Sequence, residues 1–201
     1  MQVAIIGKGH VGSALAGALR RAGHSTVFGT RAPAAADEAT ISGAASRADA
    51  VILAIPFDAA PEVIEVGNGF PGRILIDASN PLGVGADGLG LTIGFDTSGA
   101  EKLAALAPKA HVFKTFNQTG FENMANASAY AARPVMFVAG DDEAGKAAVL
   151  QLVADTGFEA IDIGKLRAAR LLEPFAMLWI ELARKRGQGA DFAFVLQRAG
   201  A

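Results

Sequence analysis

The glycine triplet in Gly7-Lys8-Gly9-His10-Val11-Gly12 follows directly on the apolar run Val3-Ala4-Ile5-Ile6 and opens a helical stretch, Val11 to Ala22. With 24 glycines in the chain, a lone G-x-G-x-x-G would carry little weight. Its setting gives it weight: a buried strand before it, a helix after it, and a position at the start of a βαβ unit. In that setting Gly7 makes the tight turn and Gly9 lets the backbone approach a pyrophosphate. Gly12 allows the helix to pack close to the strand, and the free N–H groups of the helix N-terminus face the phosphates. The competing reading is an ordinary glycine-rich βα turn. Context favours a dinucleotide loop made of Gly7, Lys8, Gly9, His10, Val11 and Gly12.

The rest of the chain repeats the same alternation. Short apolar runs stand at Ser25–Phe28, Ala50–Ile55, Arg73–Asp77, Val112–Phe116, Val135–Ala139 and Ala160–Ile163, with helical segments such as Glu143–Thr156 between them. Strands separated by helices imply βαβ crossovers, and continuous apolar runs imply strands buried on both faces. The expected fold is α/β, a Rossmann-type doubly wound and mostly parallel sheet, in a single domain spanning residues 1–201. Residues 166–201 read as a small C-terminal helical extension, with one long helix over Leu166–Arg186. Pro174 marks a start or kink in it, and Gly187 and Gly189 end it. Gly83 to Gly94 is expected to be a mobile loop near the site. Asp141-Asp142-Glu143 is expected to cap the following helix.

In such sheets ligands bind at the carboxyl ends of the strands, so the residues there become candidates. A site selective for NAD places a carboxylate about 20 residues beyond the glycine loop to bind the ribose 2′-hydroxyl. Here the second strand ends in Phe28-Gly29-Thr30-Arg31, and no carboxylate appears before Asp37. Thr30 can donate to a 2′-phosphate, and Arg31 can grip it as a fork, which favours NADP(H). Ala54-Ile55-Pro56 would line the cleft after the third strand. Asn80, held extended by Pro81, either faces the nicotinamide ribose or closes the strand in an Asx turn. Lys114 through Gly120 continues the same edge after the fifth strand.

Composition removes several alternatives. Eighteen Lys and Arg against 20 Asp and Glu leave a net charge of -2, without the basic field of a nucleic-acid binder. Zero cysteines exclude a thiolate nucleophile and a Cys-ligated metal, and three scattered histidines make no zinc set. No metal site is expected. No apolar run reaches the roughly 20 residues of a membrane span, and the apolar N-terminus lacks the basic start of a signal peptide. A cytoplasmic protein is the expectation. No nucleophile elbow, Walker loop or helical HExxH is present.

With these residues in view, the chain resembles the NADPH-dependent coenzyme F420 reductase family (F420H2:NADP oxidoreductase), which is related to the reductase domains of STEAP-type ferric reductases. The likeness runs along the whole chain, through Gly7-x-Gly9-x-x-Gly12, Thr30-Arg31, Ala54-Ile55-Pro56, Asp77-Ala78-Ser79-Asn80-Pro81 and Lys114-Thr115-Phe116-Asn117. It continues in Val138-Ala139-Gly140-Asp141-Asp142 and in Arg170-Leu171-Leu172-Glu173. The resemblance implies an NADP-binding Rossmann domain, a homodimer, and hydride passing directly between nicotinamide and F420, FMN or FAD. No protein acid or base need touch the hydride, so catalysis is positioning. It implies Thr30 and Arg31 at the 2′-phosphate, and Asn117, Thr119, Gly120 and Phe121 bordering nicotinamide and acceptor. Met177 and Trp179 either wall the acceptor pocket or pack in the core or a dimer.

Three departures stand out. Ala32-Pro33-Ala34-Ala35 follows Arg31 where relatives often carry a further basic residue. Asn117 stands where some F420 reductases have His, and Lys165 replaces a common Pro. Two other functions compete with the leading one: a small carbonyl or imine reductase, which normally adds a large helical domain, and an NADP(H)-binding sensor without turnover.

Overall fold

Two faces of burial along each central strand organise the molecule, which a computed structural model describes over residues 1–200. In chain order the elements are β1 (Gln2–Ile6), α1 (His10–Arg21), β2 (Ser25–Thr30), β3 (Glu38–Thr40), α2 (Ile41–Arg47) and β4 (Ala50–Leu53). Then come α3 (Ala60–Val66), β5 (Ile74–Asp77), a hairpin of β6 (Leu82–Gly85) and β7 (Gly88–Leu91), α4 (Gly99–Leu106) and β8 (His111–Lys114). The last are α5 (Phe121–Ala125), β9 (Val135–Gly140), α6 (Glu143–Asp155), β10 (Glu159–Asp162) and α7 (Ala169–Ile180).

Eight strands form one sheet in the order β10-β9-β8-β5-β4-β1-β2-β3. All neighbours are parallel except β8 and β9, which pair antiparallel through Phe113–Gly140 and Lys114–Ala139. This is the doubly wound Rossmann arrangement. The order reverses between β1 and β4, so the crevice beyond their carboxyl ends is where such a sheet binds ligands.

Alternation along β1 sends Val3 and Ile5 to one face and Ala4 and Ile6 to the other. The first face meets Leu15 and Leu19 of α1, Met124 of α5, and Val149 and Leu152 of α6. The second meets Ile41 of α2, Ile64 of α3, Leu103 of α4 and Ala169 of α7. All four of these β1 residues are buried, which is why the run is continuously apolar rather than alternating. Among the described residues no helix is long and apolar enough to cross a membrane.

Three expectations change. The glycine-rich stretch expected as a loop contains the β6–β7 hairpin, paired from Leu82–Leu91 to Gly85–Gly88. The long C-terminal helix divides into a 3-10 turn at Leu166–Ala168, α7, and a π-helical turn at Glu181–Lys185. The helix runs through Pro174, whose ring withdraws one backbone donor without ending it. The strand expected to reach Phe116 stops at Lys114, because Phe116 adopts a left-handed conformation with φ +61°. Asp142 caps α6 by accepting from the Gly145 N–H, as its position before the helix implies.

Candidate functional site

The glycine loop joins β1 to α1 with each glycine under a different constraint. Gly7 sits at φ +107°, and a Cβ there would press on the Ala54 carbonyl, where β4 leaves the sheet. A Cβ on Gly12 would strike the Gly7 carbonyl, so that residue holds the helix against the strand. Gly9 has open space around it. No protein contact requires glycine there; a ligand drawn close to the backbone would. Helix α1 starts with no side chain capping its N-terminus and no acid in its first turn, which leaves its N–H groups directed at that space.

Beside the loop lies a cleft of about 380 Å³, lined by Gly7, Lys8, Thr30, Arg31, Ile41, Ile55 and Pro56 among others. Ala54 is tied to β1 by its N–H to the Ile6 carbonyl at 2.9 Å. The Thr30 hydroxyl is buried with no hydrogen-bond partner among the described residues, an arrangement that disfavours the unliganded site unless something polar arrives. Arg31 is exposed at the rim. Sequence reasoning left the carboxylates after Arg31 unused; the fold returns them to the glycine loop. Lys8 Nζ donates to Glu38 Oε1 at 2.6 Å and lies 3.5 Å from Asp37, which in turn accepts from Arg20 at 3.1 Å. This one hydrogen bond, donated by Lys8, holds the Glu38 carboxyl below its usual range and raises Lys8.

Across the crevice, the loop after β8 approaches the start of α1. His10 and Phe121 stack with ring centres 4.7 Å apart, and with Lys8, Gly9 and Ser13 they border a depression of about 540 Å³. Val11 packs against the inner core beneath. Thr119 accepts from the Asn123 side chain at 2.7 Å, and Gly120 precedes α5.

Asn80 and Asn117 bind one another. Asn117 Nδ2 donates to Asn80 Oδ1 and to the Leu172 carbonyl of α7, while Asn80 Nδ2 donates to the Asn117 carbonyl. Asn117 Oδ1 also accepts from Gln118 at 3.3 Å. The Asn117 amide is therefore occupied by protein partners, whereas Asn80, next to Pro81, keeps one N–H free. Where β8 has turned away, Gln118 acts as a strand for β9: its Nε2 donates to the Phe137 carbonyl and its Oε1 accepts the Phe137 N–H, both at 2.9 Å.

Sequence reasoning missed the ionic hub beneath this pair. Lys114 is fully buried and donates to Asp77 Oδ2 at 2.7 Å and to the Ser79 carbonyl at 2.6 Å, with Glu173 Oε1 at 3.0 Å. Glu173 also accepts the N–H groups of Gly99 and Ala100 at the start of α4. A lysine inside the apolar run Val112–Phe116 was the available signal, since such a residue is rarely buried without a counter-ion.

Trp179 is buried, stacks on Phe192 at 5.5 Å, donates to the Phe192 carbonyl at 3.2 Å and closes on Gly120. It holds the C-terminal segment against the loop after β8. Met177 is half-buried two residues earlier on α7.

Comparison with known proteins agrees with this arrangement. The profile of a family described as NADP oxidoreductase, coenzyme F420-dependent, matches residues 2–81. A crystal structure from Arthrobacter sp. FB24, provisionally described as an F420-dependent NADP reductase, superimposes with a TM-score of 0.89 at 30% identity, over 98% of this chain and all of that one. The chain belongs to this family. The family is described as one of NADP oxidoreductases. A hypothetical protein from Sinorhizobium meliloti matches with a TM-score of 0.75 at 27% identity, over 86% of this chain and 90% of that one. Rat metalloreductase STEAP3 is 27% identical over 180 residues, 86% of this chain but only 36% of STEAP3. The chain thus spans about a third of the length of that relative.

Proposed function

We propose that the protein binds NADP(H) and passes hydride between its nicotinamide and coenzyme F420 or a related flavin. The observation that carries the cofactor half is the buried Thr30 hydroxyl, without a partner among the described residues, beside Arg31 in a cleft that Gly7 and Lys8 of the glycine loop also line. These residues fit a dinucleotide: α1 and the glycine loop would hold the pyrophosphate, and Thr30 and Arg31 the 2′-phosphate. Bound there, NADP(H) supplies or receives hydride at its nicotinamide ring.

The protein's own part is placement. The buried ionisable groups here, Asp77 and Lys114 at strand ends and Glu173 on α7, are joined through Lys114 beneath the Asn80–Asn117 pair. All three are engaged by protein partners. That arrangement suits ring-to-ring transfer, in which orientation and exclusion of water supply the rate. Asn80, Thr119, Gly120 and Phe121 would border the nicotinamide and the acceptor. The small-molecule redox partner is joined in this reading by a second copy of the chain: Leu171 and Leu178, seven residues apart on α7, are both exposed and suit a homodimer.

The test is an anaerobic assay with NADPH, and separately NADH, against F420, FMN, FAD and riboflavin. Rapid F420 reduction by NADPH is the expected result. Turnover with flavins alone would move the acceptor toward the STEAP-like branch, and NADPH binding without turnover on any acceptor would refute the enzymatic reading in favour of a sensor.

A further inference from the structure

A 2′-phosphate carries close to two negative charges, and beyond Arg31 the chain offers no second cation, only Ala32-Pro33-Ala34-Ala35. The fold supplies one from elsewhere. Lys8 lines the same cleft as Thr30 and Arg31, its ammonium 5.4 Å from the centre of the Phe28 ring on the strand that ends at Thr30. Its charge is masked. Glu38 stands 2.6 Å from it and Asp37 3.5 Å, and Arg20 shares Asp37. Lys8, Arg20, Asp37 and Glu38 together are neutral, which leaves Arg31 as the uncompensated cation of the group. The Lys8 side chain is 41% exposed and unbranched, so it can swing without disturbing the core, whereas Glu38 is 10% exposed and fixed by the Ala34 N–H at 2.7 Å.

We propose that Lys8 is the second cation of the 2′-phosphate site and Glu38 its resting counter-ion, so that binding exchanges a Lys8–carboxylate pair for a Lys8–phosphate pair. Because NAD(H) offers no phosphate at that position, the exchange acts on the choice between the two cofactors. Glu38 then sets the preference from outside the contact: it holds Lys8 near the site and competes for it. This rests on the NADP(H) reading above.

The experiment measures Kd for NADPH and NADH by nicotinamide fluorescence on the full chain, for wild type, Lys8→Met, Glu38→Gln and Arg31→Ala. Methionine keeps the packing on Phe28, and glutamine keeps a carbonyl for the Ala34 N–H, so thermal melts should coincide with wild type. Lys8→Met is expected to weaken NADPH by roughly fivefold, and Glu38→Gln to tighten it by roughly threefold, with NADH moving less than about twofold in each. A wild-type preference for NADPH that collapses in Arg31→Ala but is unmoved by Lys8→Met or by Glu38→Gln would overturn the exchange and leave the NADP(H) reading standing. Equal affinity of wild type for both cofactors, with equal losses in Arg31→Ala, would overturn both.

Discussion

Asn117 and Asn80 bridge the ends of β8 and β5 in both directions: Asn117 Nδ2 donates to Asn80 Oδ1 at 2.9 Å, and Asn80 Nδ2 donates to the Asn117 carbonyl at 2.9 Å. A third bond from the same Asn117 nitrogen reaches the Leu172 carbonyl at 3.1 Å. The pair thus fixes the crevice wall to the C-terminal helix. Asn117→Ala leaves Asn80 Oδ1 and the Leu172 carbonyl short of a donor, at a cost of about 1–3 kcal/mol in urea unfolding. Turnover should fall while the Kd for 2′,5′-ADP, which reports the adenosine end alone, stays within about twofold. A parallel loss of 2′,5′-ADP affinity would show that the effect is global.

Gly9 and Gly12 separate fold from ligand. Gly12→Ala drives a methyl into the Gly7 carbonyl and should destabilise the protein by about 1–3 kcal/mol. Gly9→Ala meets open space, so its melting temperature should match wild type while NADPH affinity drops roughly tenfold, as the backbone can no longer close on the phosphates. Calorimetry with and without NADPH distinguishes the two. A destabilised but tight-binding Gly9→Ala would contradict the assignment.

Lys114 is the shared counter-ion of two carboxylates, Asp77 and Glu173, and all three side chains are buried. Lys114→Met strands Asp77 and Glu173 as buried like charges and should cost about 3–5 kcal/mol in chemical denaturation. Glu173→Gln leaves a neutral Lys114–Asp77 pair and should cost less, although α4 loses a charged acceptor at its first N–H groups. The reverse ranking would show that capping α4, rather than charge balance, dominates the hub.

How much of this was legible in the residues depends on range. Strands β1, β4 and β5 show as apolar runs because both faces of each are buried, and Gly7 to Gly12 fix the first turn by local sterics. Strand β3 is three residues long, too short for any period to show. Hairpin β6–β7 carries glycine at four of its eight positions, a composition shared with loops, so only the pairing itself identifies it. Glu173 reaches Gly99 across 74 residues of chain, and no local pattern announces such a contact. In the candidate site, Thr30 and Arg31 were visible as strand-end residues. The Lys8–Glu38 pair was not, because it forms only when β3 folds beside β2.

Glu101 and Arg170 give a pH prediction. Arg170 donates to both carboxylate oxygens, at 2.9 and 2.7 Å, and this pairing, with a further hydrogen bond from Ser98, holds Glu101 below the ordinary glutamate value of 4.5. A carboxyl whose folded pKa is depressed stabilises the fold above its unfolded pKa and loses that contribution as pH falls through the folded one. The melting-temperature gap between wild type and Glu101→Gln should therefore be constant above about pH 5.5 and close below about pH 4.5. A gap that persists to pH 3 would assign the effect to hydrogen bonding alone.

Leu171 and Leu178 are exposed by 69% and 48%, and Phe95, fully exposed, shares a groove of about 690 Å³ with Leu171 and Pro174. Seven residues apart on a helix, the two leucines project from one face, so a partner helix could cover both at once. Burying a leucine is worth about 1.5–3 kcal/mol, and in a two-fold pair each side chain contributes twice. Light scattering should therefore give twice the 20.5 kDa mass of the chain for wild type and the single mass for Leu178→Asp, with unchanged circular dichroism. Since Leu172, the neighbour of Leu171, accepts from Asn117, separation of the copies should also lower turnover. A wild type that runs as a monomer at micromolar concentration would reject the homodimer.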